Sequence, residues 1–337
     1  MFTEPEDLDR AELEAVLERY WGLRGATLEY LRVGFGSHHW RADDSRGTHR
    51  FVTVDDLEAG FQAGPDTDSA FAALDRAFRT AAVLRHEAKL EFVVAPLPDG
   101  EGNVIRRLSD RYAVTLSPLI EGESSAYGSY ESLDDRRRMG GVLGRLHAAT
   151  EYVPIELPRR EDFALPSRAQ LVEALDDLDQ PWSSGPFAEP ARQLLQAGGR
   201  EVERRLQEYD GLAAQVREHS DSWVVTHGEP HRANVIRDSR GGVHLVDWDT
   251  TSVAPRERDL RMVLDRDLTG WDEYVGFAGA VSLNQETIDL YRRWWDLAEI
   301  GIYTKLFRQP HERTEDTIAS WENLRGYLPS PATATPE

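Results

Sequence analysis

The stretch that decides the fold runs from Trp223 to Leu260, WVVTHGEPHRANVIRDSRGGVHLVDWDTTSVAPRERDL. In it an acid, Glu229, is followed five residues later by an amide, Asn234, and thirteen residues beyond that by a second acid, Asp247. Val224-Val225-Thr226 reads as a short strand feeding a loop, and Pro230 directly after the acid keeps that loop from continuing as a helix. Asp247 closes an apolar run of Val243, Leu245 and Val246, so a loop and a short hairpin let the three side chains converge.

That trio suits phosphoryl transfer. Moving a γ-phosphoryl group needs an acceptor hydroxyl held in line, a carboxylate to take its proton, and cations to neutralise charge on the phosphate oxygens. Glu229 supplies the carboxylate. Magnesium takes oxygen ligands in octahedral geometry and keeps several waters, so one amide oxygen and one carboxylate, Asn234 and Asp247, suffice from the protein. Each piece alone also fits an ordinary polar turn with solvated acids. Together with Asp259, twelve residues after Asp247 in Ala254-Pro255-Arg256-Glu257-Arg258-Asp259-Leu260, they make a constellation.

On these residues the chain resembles the aminoglycoside phosphotransferase and choline kinase branch of the protein-kinase-like superfamily. That branch carries His-Gly-Asp-x-His-x-x-Asn followed by an Asp-Trp/Phe-Asp metal motif. His227, Gly228, His231 and Asn234 match the first motif, and Asp247-Trp248-Asp249 the second. The resemblance implies an α+β, two-lobed fold, with a mostly antiparallel N-terminal sheet lobe that binds ATP or GTP and a helical C-terminal lobe. It makes Glu229 the acceptor-side base and Asn234 and Asp247 the Mg2+ ligands, and gives Asp259 the task of bracing the catalytic loop. The boundaries read from the sequence are 1–117, 118–328 and a disordered tail at 329–337. Glu229 departs from the family's Asp by one methylene, a displacement of roughly 1 Å that costs around a hundredfold in rate if nothing compensates.

The first half carries the nucleotide expectations. Leu28 to Val33, the turn Gly34-Phe35-Gly36-Ser37, and His39 to Ala42 read as strand, glycine turn, strand, which is how a kinase-like fold covers phosphates. A next strand over 50–55 puts Phe51, Thr53 and Asp55 on one face. The resemblance calls for Lys at Asp55, yet the only lysines are Lys89 and Lys305. A charge-reversed tie from Asp55 to Arg76 or Arg79, on a helix expected over 69–87, is one resolution; separate solvated charges are the other. Ser117-Pro118-Leu119-Ile120 is the expected interlobe link against which adenine stacks, so the nucleotide candidates are Gly34, Phe35, Gly36, Ser37, Thr53, Pro118 and Ile120.

Composition agrees. The 337 residues hold 40% hydrophobic residues, no cysteine and a formal net charge of −21. That charge argues against a nucleic-acid partner, which would need a basic stripe, and favours a cationic small substrate as readily as plain solubility. The acidic start and the lack of a long apolar run point to a cytoplasmic chain with no membrane span. Further strands are expected at 92–95, 104–108 and 112–116, and helices at 7–20, 134–150, 167–178, 189–218, 287–307 and 316–327. Substrate candidates are Glu121 and Glu123, after the link, and Asp296 and Glu299, on a helical stripe with Tyr303 beside Trp295. Trp and Tyr at that spacing also read as core.

The sequence thus reads as a Mg-ATP-dependent O-phosphotransferase acting on a hydroxyl of a small metabolite or aminoglycoside-like antibiotic. Its rivals are a sugar, choline or homoserine kinase and a non-catalytic nucleotide-binding relative.

Overall fold

A computed structural model describes residues 1–58, 66–218 and 222–328. The expected tail at 329–337 lies outside the described residues. The chain divides into two compact units: the first holds Thr3–Glu161 and the stretch ending at Ile288, the second the stretch beginning at Asp162 and the C-terminal part from Asp289. The boundary expected at 117/118 falls inside the first unit, so a division into lobes at that point stays a proposal.

In the first unit, helix α1 (Arg10–Trp21) starts where the Asp9 side chain accepts from the Ala11 and Glu12 amides, an N-cap that satisfies two otherwise orphan donors. Its Leu13 and Leu17 bury against a five-stranded antiparallel sheet in the order β1-β2-β3-β5-β4. These strands are β1 (Thr27–Leu31), β2 (Ser37–Asp43), β3 (His49–Asp56), β4 (Arg106–Arg107) and β5 (Tyr112–Pro118). Alternation sorts β2 and β3: Trp40, Ala42, Val52 and Val54 enter the core under α1. Ser37, His39, Thr53 and Asp55 take the other face, in the register Ser37↔Asp55 and His39↔Thr53. The glycine turn joins β1 to β2 as expected, with Gly34 and Gly36 at positive φ.

Two of the expected strands differ. Phe92 to Ala95 does not join this sheet; Val93 makes a single parallel bridge to Leu245, and its apolar neighbours bury in the larger core. The 104–108 stretch shrinks to β4 because Val104, Ile105 and Leu108 also turn into the interior.

Helix α2 (Thr67–His86) buries Ala70, Ala73, Leu74, Ala77, Phe78, Ala81 and Leu84. Arg76 and Arg79 therefore face outward, and Arg79 pairs with Asp75 one turn away, both nitrogen–oxygen distances being 2.8 Å. The charge-reversed tie to Asp55 is not formed. The same core takes Met139, Val142, Leu143 and Leu146 from α3 (Leu133–Ala148), each such side chain contributing about 1.5–3 kcal/mol by leaving water. After the short strands β6 (Glu123–Ser124) and β7 (Arg159–Arg160), which later sheets complete, the chain enters the second unit.

That unit contains α4 (Arg168–Asp176), α5 (Ala188–Arg217), the part of α8 (Gln285–Arg308) from Asp289, and α9 (Glu315–Tyr327). Tyr291, Leu297, Ile300, Tyr303 and Phe307 bury along α8, so Tyr303 belongs to the core. No helix among the described residues is long and apolar enough to cross a membrane.

Two helices of the first unit escaped the sequence reading: α6 (Glu257–Val263) and α7 (Trp271–Ala278). Helix α7 packs backbone to backbone on α3. A Cβ on Gly140 would overlap the carbonyl of Gly270, and one on Gly144 would overlap that of Tyr274. Gly140→Ala gains helix propensity but must push the α7 backbone away, so we expect a net loss of about 1–3 kcal/mol. Urea unfolding checks this, and a variant as stable as the parent would contradict the close approach.

Candidate active site

The site is built on two small three-stranded sheets. Strand β8 (Val224–Thr226) pairs antiparallel with β11 (Ser252–Ala254), which also takes β7 in parallel. The hairpin β9 (Val235–Arg237) and β10 (Val243–Leu245) extends to β6. Glu229 and Asn234 lie on the loop from β8 to β9, and Asp247 follows β10 by two residues.

What fixes the loop is Asp259, fully buried on α6. Its Oδ2 accepts from the His227 amide at 2.8 Å and its Oδ1 from the Gly228 amide at 2.7 Å. His147, buried on α3, holds Oδ2 at 3.1 Å and meets the Tyr274 hydroxyl at 3.0 Å with its other nitrogen. Burial alone would raise the Asp259 carboxyl; the His147 bond, with the charges of His147, His227 and Arg258, keeps it below the usual range. Gly228 adopts φ +106°, where a Cβ would overlap the Thr250 hydroxyl and the Arg258 guanidinium. Only glycine suits that position. Arg258 locks the same corner, donating to Thr226 Oγ1 and the Thr250 carbonyl at 2.9 Å each.

His227 is enclosed. Its Nε2 donates to the Val246 carbonyl at 2.9 Å and its Nδ1 accepts from the Glu229 amide at 3.2 Å, so its neutral form ties the loop to the strand that leads to Asp247. Trp248 closes edge-on over this ring, with centroids 4.6 Å apart.

Asn234 is buried, and its Nδ2 donates to the Glu229 carbonyl at 3.0 Å, leaving Oδ1 as the acceptor open to a cation. Its own carbonyl receives the Val246 amide at 3.0 Å, tying Asn234 to the stretch that leads to Asp247. Asp247 stands at φ +68°, a strained left-handed position for a non-glycine residue. Solvent reaches it, although protein surrounds it closely. That crowding, and then the negative charge of Glu229, raise its carboxyl; Asp249 is raised for the same reasons, with Asp247 and Asp55 adding to Glu229.

Glu229 behaves differently. Burial works against its ionised form, but His231, at 3.7 Å, with Arg258 and His227, outweighs it and holds the carboxyl below the usual range. It is therefore ionised at neutral pH, as a proton acceptor must be. His231 in turn meets the exposed Tyr127 edge-on at 4.9 Å. The segment before α3 clamps the loop: Arg232 donates to the Ala126 carbonyl at 2.7 Å, and Tyr130 to that of Pro230 at 2.8 Å. Sequence reasoning gave no role to Tyr127 and Tyr130, which fall outside the spaced motifs, nor to Arg258, which stands directly before Asp259.

Asp55 is the other surprise. It is buried, its Oδ1 accepts from Ser37 Oγ at 2.6 Å, and its Oδ2 has no hydrogen-bond partner. Its electrostatic neighbours are the acids Asp247 and Asp249. Among the other nucleotide candidates, Thr53 meets His39 at 3.3 Å, Phe35 is exposed on the turn, and Pro118 pairs with Arg50 at the end of β5. Ile120 follows, half-buried. Glu121 and Glu123 are exposed, and Glu123 lines a recess of about 200 Å³ with Tyr130, Asp135, Arg232 and Arg237 that includes neither Glu229 nor Asp247. In the second unit Asp296 lies 3.7 Å from Arg205, and Glu299 hydrogen-bonds with Tyr303.

Burial pushes the His227 imidazole down to about 4. Between that value and the unfolded value near 6.5, the unfolded chain binds a proton that the folded ring refuses, so stability falls as pH drops through this window. The loss attributable to His227 is about 2 kcal/mol between pH 7 and pH 4.5. His227→Gln, less stable at neutral pH, should lose that much less than the parent on the same acidification. Paired urea titrations check it, and parallel pH profiles would contradict a ring held neutral by burial.

The profile of the phosphotransferase enzyme family matches residues 31–294. Protein StrN of Streptomyces griseus is 28% identical over 319 residues, covering 88% of this chain and 91% of that protein. A spectinomycin phosphotransferase solved with ADP and spectinomycin superposes with a TM-score of 0.73 at 15% identity, covering 95% of each chain. A choline kinase of Streptococcus pneumoniae gives 0.51 at 14% identity, covering 94% and 98%. With its antiparallel sheet, its braced loop and a family match over most of its length, the chain belongs to the phosphotransferase enzyme family, whose members are small-molecule kinases acting on hydroxyl groups.

Proposed function

We propose that the protein transfers the γ-phosphoryl group of Mg-ATP to a hydroxyl of a small, polyhydroxylated, amino-bearing molecule of the aminoglycoside-like antibiotic class, acting in the cytoplasm. The observation that carries the reading is the pairing of an ionised Glu229 with an Asn234 whose amide nitrogen is committed to the Glu229 carbonyl. One residue is thereby set to take a proton and the other to offer an oxygen.

The donors fit magnesium. The Asn234 oxygen and the Asp247 carboxylate are hard ligands, and the crowding of Asp247 with Asp249 and Glu229 leaves negative charge that a cation relieves. When bound there, magnesium neutralises charge on the phosphate oxygens. Asn234 and Asp247 would hold it. Glu229 accepts the proton of the acceptor hydroxyl, with its backbone fixed through the His227 ring and its side chain drawn toward His231. Tyr127, Glu121 and Glu123 are the candidates for contact with the acceptor, and the net charge of −21 steers a cationic one.

The use of a nucleotide draws support from relatives of this fold solved with ADP, AMP or AMP-PNP. The antibiotic class draws support from the spectinomycin phosphotransferase, whose superposition scores above those of the choline kinases. A choline-type acceptor is the second reading, favoured by the exposed aromatic ring of Tyr127, a surface that suits a quaternary ammonium.

Asp247→Ala and Asn234→Ala should abolish stabilisation of the protein by Mg-ATP in thermal melts while leaving the metal-free melting temperature within a few degrees of the parent. Equal stabilisation of both variants and the parent would refute the metal assignment. Glu229→Gln should bind Mg-ATP almost normally and lose about a hundred- to ten-thousandfold in transfer rate, the span usual for a general base. Single-turnover assays over a panel of aminoglycoside-like and choline-like alcohols test this. Lost ATP binding with intact transfer on the bound fraction would contradict the role, and no transfer to any acceptor by the parent would favour a non-catalytic relative.

A further inference from the structure

We propose that Arg232 is a positioning residue for the acceptor side of the site: by holding the segment 125–131 around its guanidinium it sets Tyr127 against His231, and through that ring it steadies the base. The inference rests on the reading of Glu229 as the base and adds a specificity-determining residue to it.

The segment 125–131 runs from β6 towards α3 without regular structure, so side chains must give it its shape. One guanidinium supplies much of that shape. Arg232 Nε donates to the Ala126 carbonyl at 2.7 Å, and Nη1 reaches the Ser129 carbonyl at 3.5 Å and the Glu131 carboxylate at 2.8 Å. Gly128 lets the chain turn around it, standing at φ +147°, a value that side chains rarely adopt, with the place of its missing Cβ 3.7 Å from Arg232 Nε. The Glu131 pair contributes little, since that side chain is 84% exposed. The bond that matters goes to Ala126, whose carbonyl belongs to the peptide leading into Tyr127. A second tie, from the Tyr130 hydroxyl to the Pro230 carbonyl at 2.8 Å, is buried and fixes the later end of the segment.

His231 is where this segment meets the chemistry. Its Nε2 lies 3.7 Å from the Glu229 carboxylate and 3.4 Å from Asn234 Nδ2, within reach of both the base and the amide. Its Nδ1 is buried without a hydrogen-bond partner. With no bond on that side, the orientation of the ring falls to packing, and Tyr127 packs on it edge-on with centroids 4.9 Å apart. Aromatic pairs of this kind are directional. Tyr127 is itself 58% exposed, so its place is set largely by the backbone that carries it, and hence by Arg232. Lysine is no substitute here, because one ammonium on a flexible stem cannot present the planar fork that meets Ala126 through Nε and Ser129 and Glu131 through Nη1.

The first experiment needs no substrate. In protein carrying isotope-labelled histidine, the His231 ring resonance, assigned through His231→Gln, carries the ring-current shift of Tyr127, which Tyr127→Leu removes. Arg232→Lys keeps the charge beside the loop and gives up the fork, and its His231 resonance should move to the position seen in Tyr127→Leu. A resonance unmoved by Arg232→Lys overturns the proposal. In transfer assays over the panel of aminoglycoside-like and choline-like alcohols, Arg232→Lys should raise the acceptor KM about tenfold, with kcat within about threefold of the parent and AMP-PNP affinity unchanged. Adding Arg232→Lys to Tyr127→Leu should raise KM little further, because the two act through one contact. Additive losses, or an equal loss of AMP-PNP affinity, overturn the proposal. Gly128→Val strains the turn and leaves Arg232 and Glu229 in place; it should reproduce both the resonance shift and the rise in KM, so it reads the segment even where Arg232→Lys fails to fold. A parent that phosphorylates no alcohol, while the His231 resonance moves as stated, overturns the base reading and the acceptor role with it, and leaves the placement of Tyr127 by Arg232 standing.

Discussion

The first unit's chemistry depends on one buried carboxylate. Asp259 accepts two successive backbone amides, His227 and Gly228, at the entry to the catalytic loop, and is itself held by His147. Charge-assisted bonds of this kind are about twice as strong as neutral ones, and their burial leaves the loop no water to exchange them for. Asp259 comes from α6, His147 from α3, and the loop from the end of β8, so one anion joins three elements distant in sequence. Moving α3 relative to α7 would disturb it through Tyr274, which meets His147 from the other side. The glycine contacts between those helices therefore serve the site as well as the core.

Against this rigid frame stand acids that the protein leaves without counter-charge. Glu229 has His231 and Arg258 beside it, but Asp247 and Asp249 have each other and Glu229. Crowding by protein and like charge both oppose the ionisation of Asp247 and Asp249, so the arrangement costs stability in the absence of a cation. Such a cost persists only where the surrounding structure over-determines it. Here Trp248, between the two acids, anchors its indole to the Leu245 carbonyl at 2.8 Å, and Asp247 occupies its left-handed conformation. The strain and the charge fall on the same residue, the one assigned to bind metal.

The catalytic half was legible in the sequence because its residues sit close together with fixed spacings: the strand before the loop, the hairpin after it and the bracing role of Asp259 could all be placed from one stretch of 38 residues. The first three strands and the helix after them were legible from alternation and helical periodicity. Contacts between distant segments were not. Asp55 reads equally well as a partner for Arg76 or as a lone charge, and only the set of α2 residues that faces the core turns those arginines outward. Val93 and its neighbours look like a strand because they are apolar and short, yet buried irregular backbone with a single bridge has the same composition. Tyr127 gave no signal at all, since an exposed aromatic residue acquires meaning only from the histidine it meets.

Glu229 shows how a departure in sequence is absorbed by geometry. Its extra methylene carries the carboxylate outward by about 1 Å relative to an aspartate, enough to cost around a hundredfold if the acceptor stood still. The loop backbone cannot retreat to compensate, because the Glu229 amide is bonded to His227 and its carbonyl to Asn234. The adjustment therefore falls on the side chain and on the substrate. His231 draws the carboxylate to one side, and Tyr127 backs His231 from the open side of the loop. With Glu229 as the proposed base, an acceptor hydroxyl would meet it further from the loop backbone, against a wall formed by the histidine and the tyrosine. That wall, rather than the shared motif, is where selection among alcohols is expected to reside.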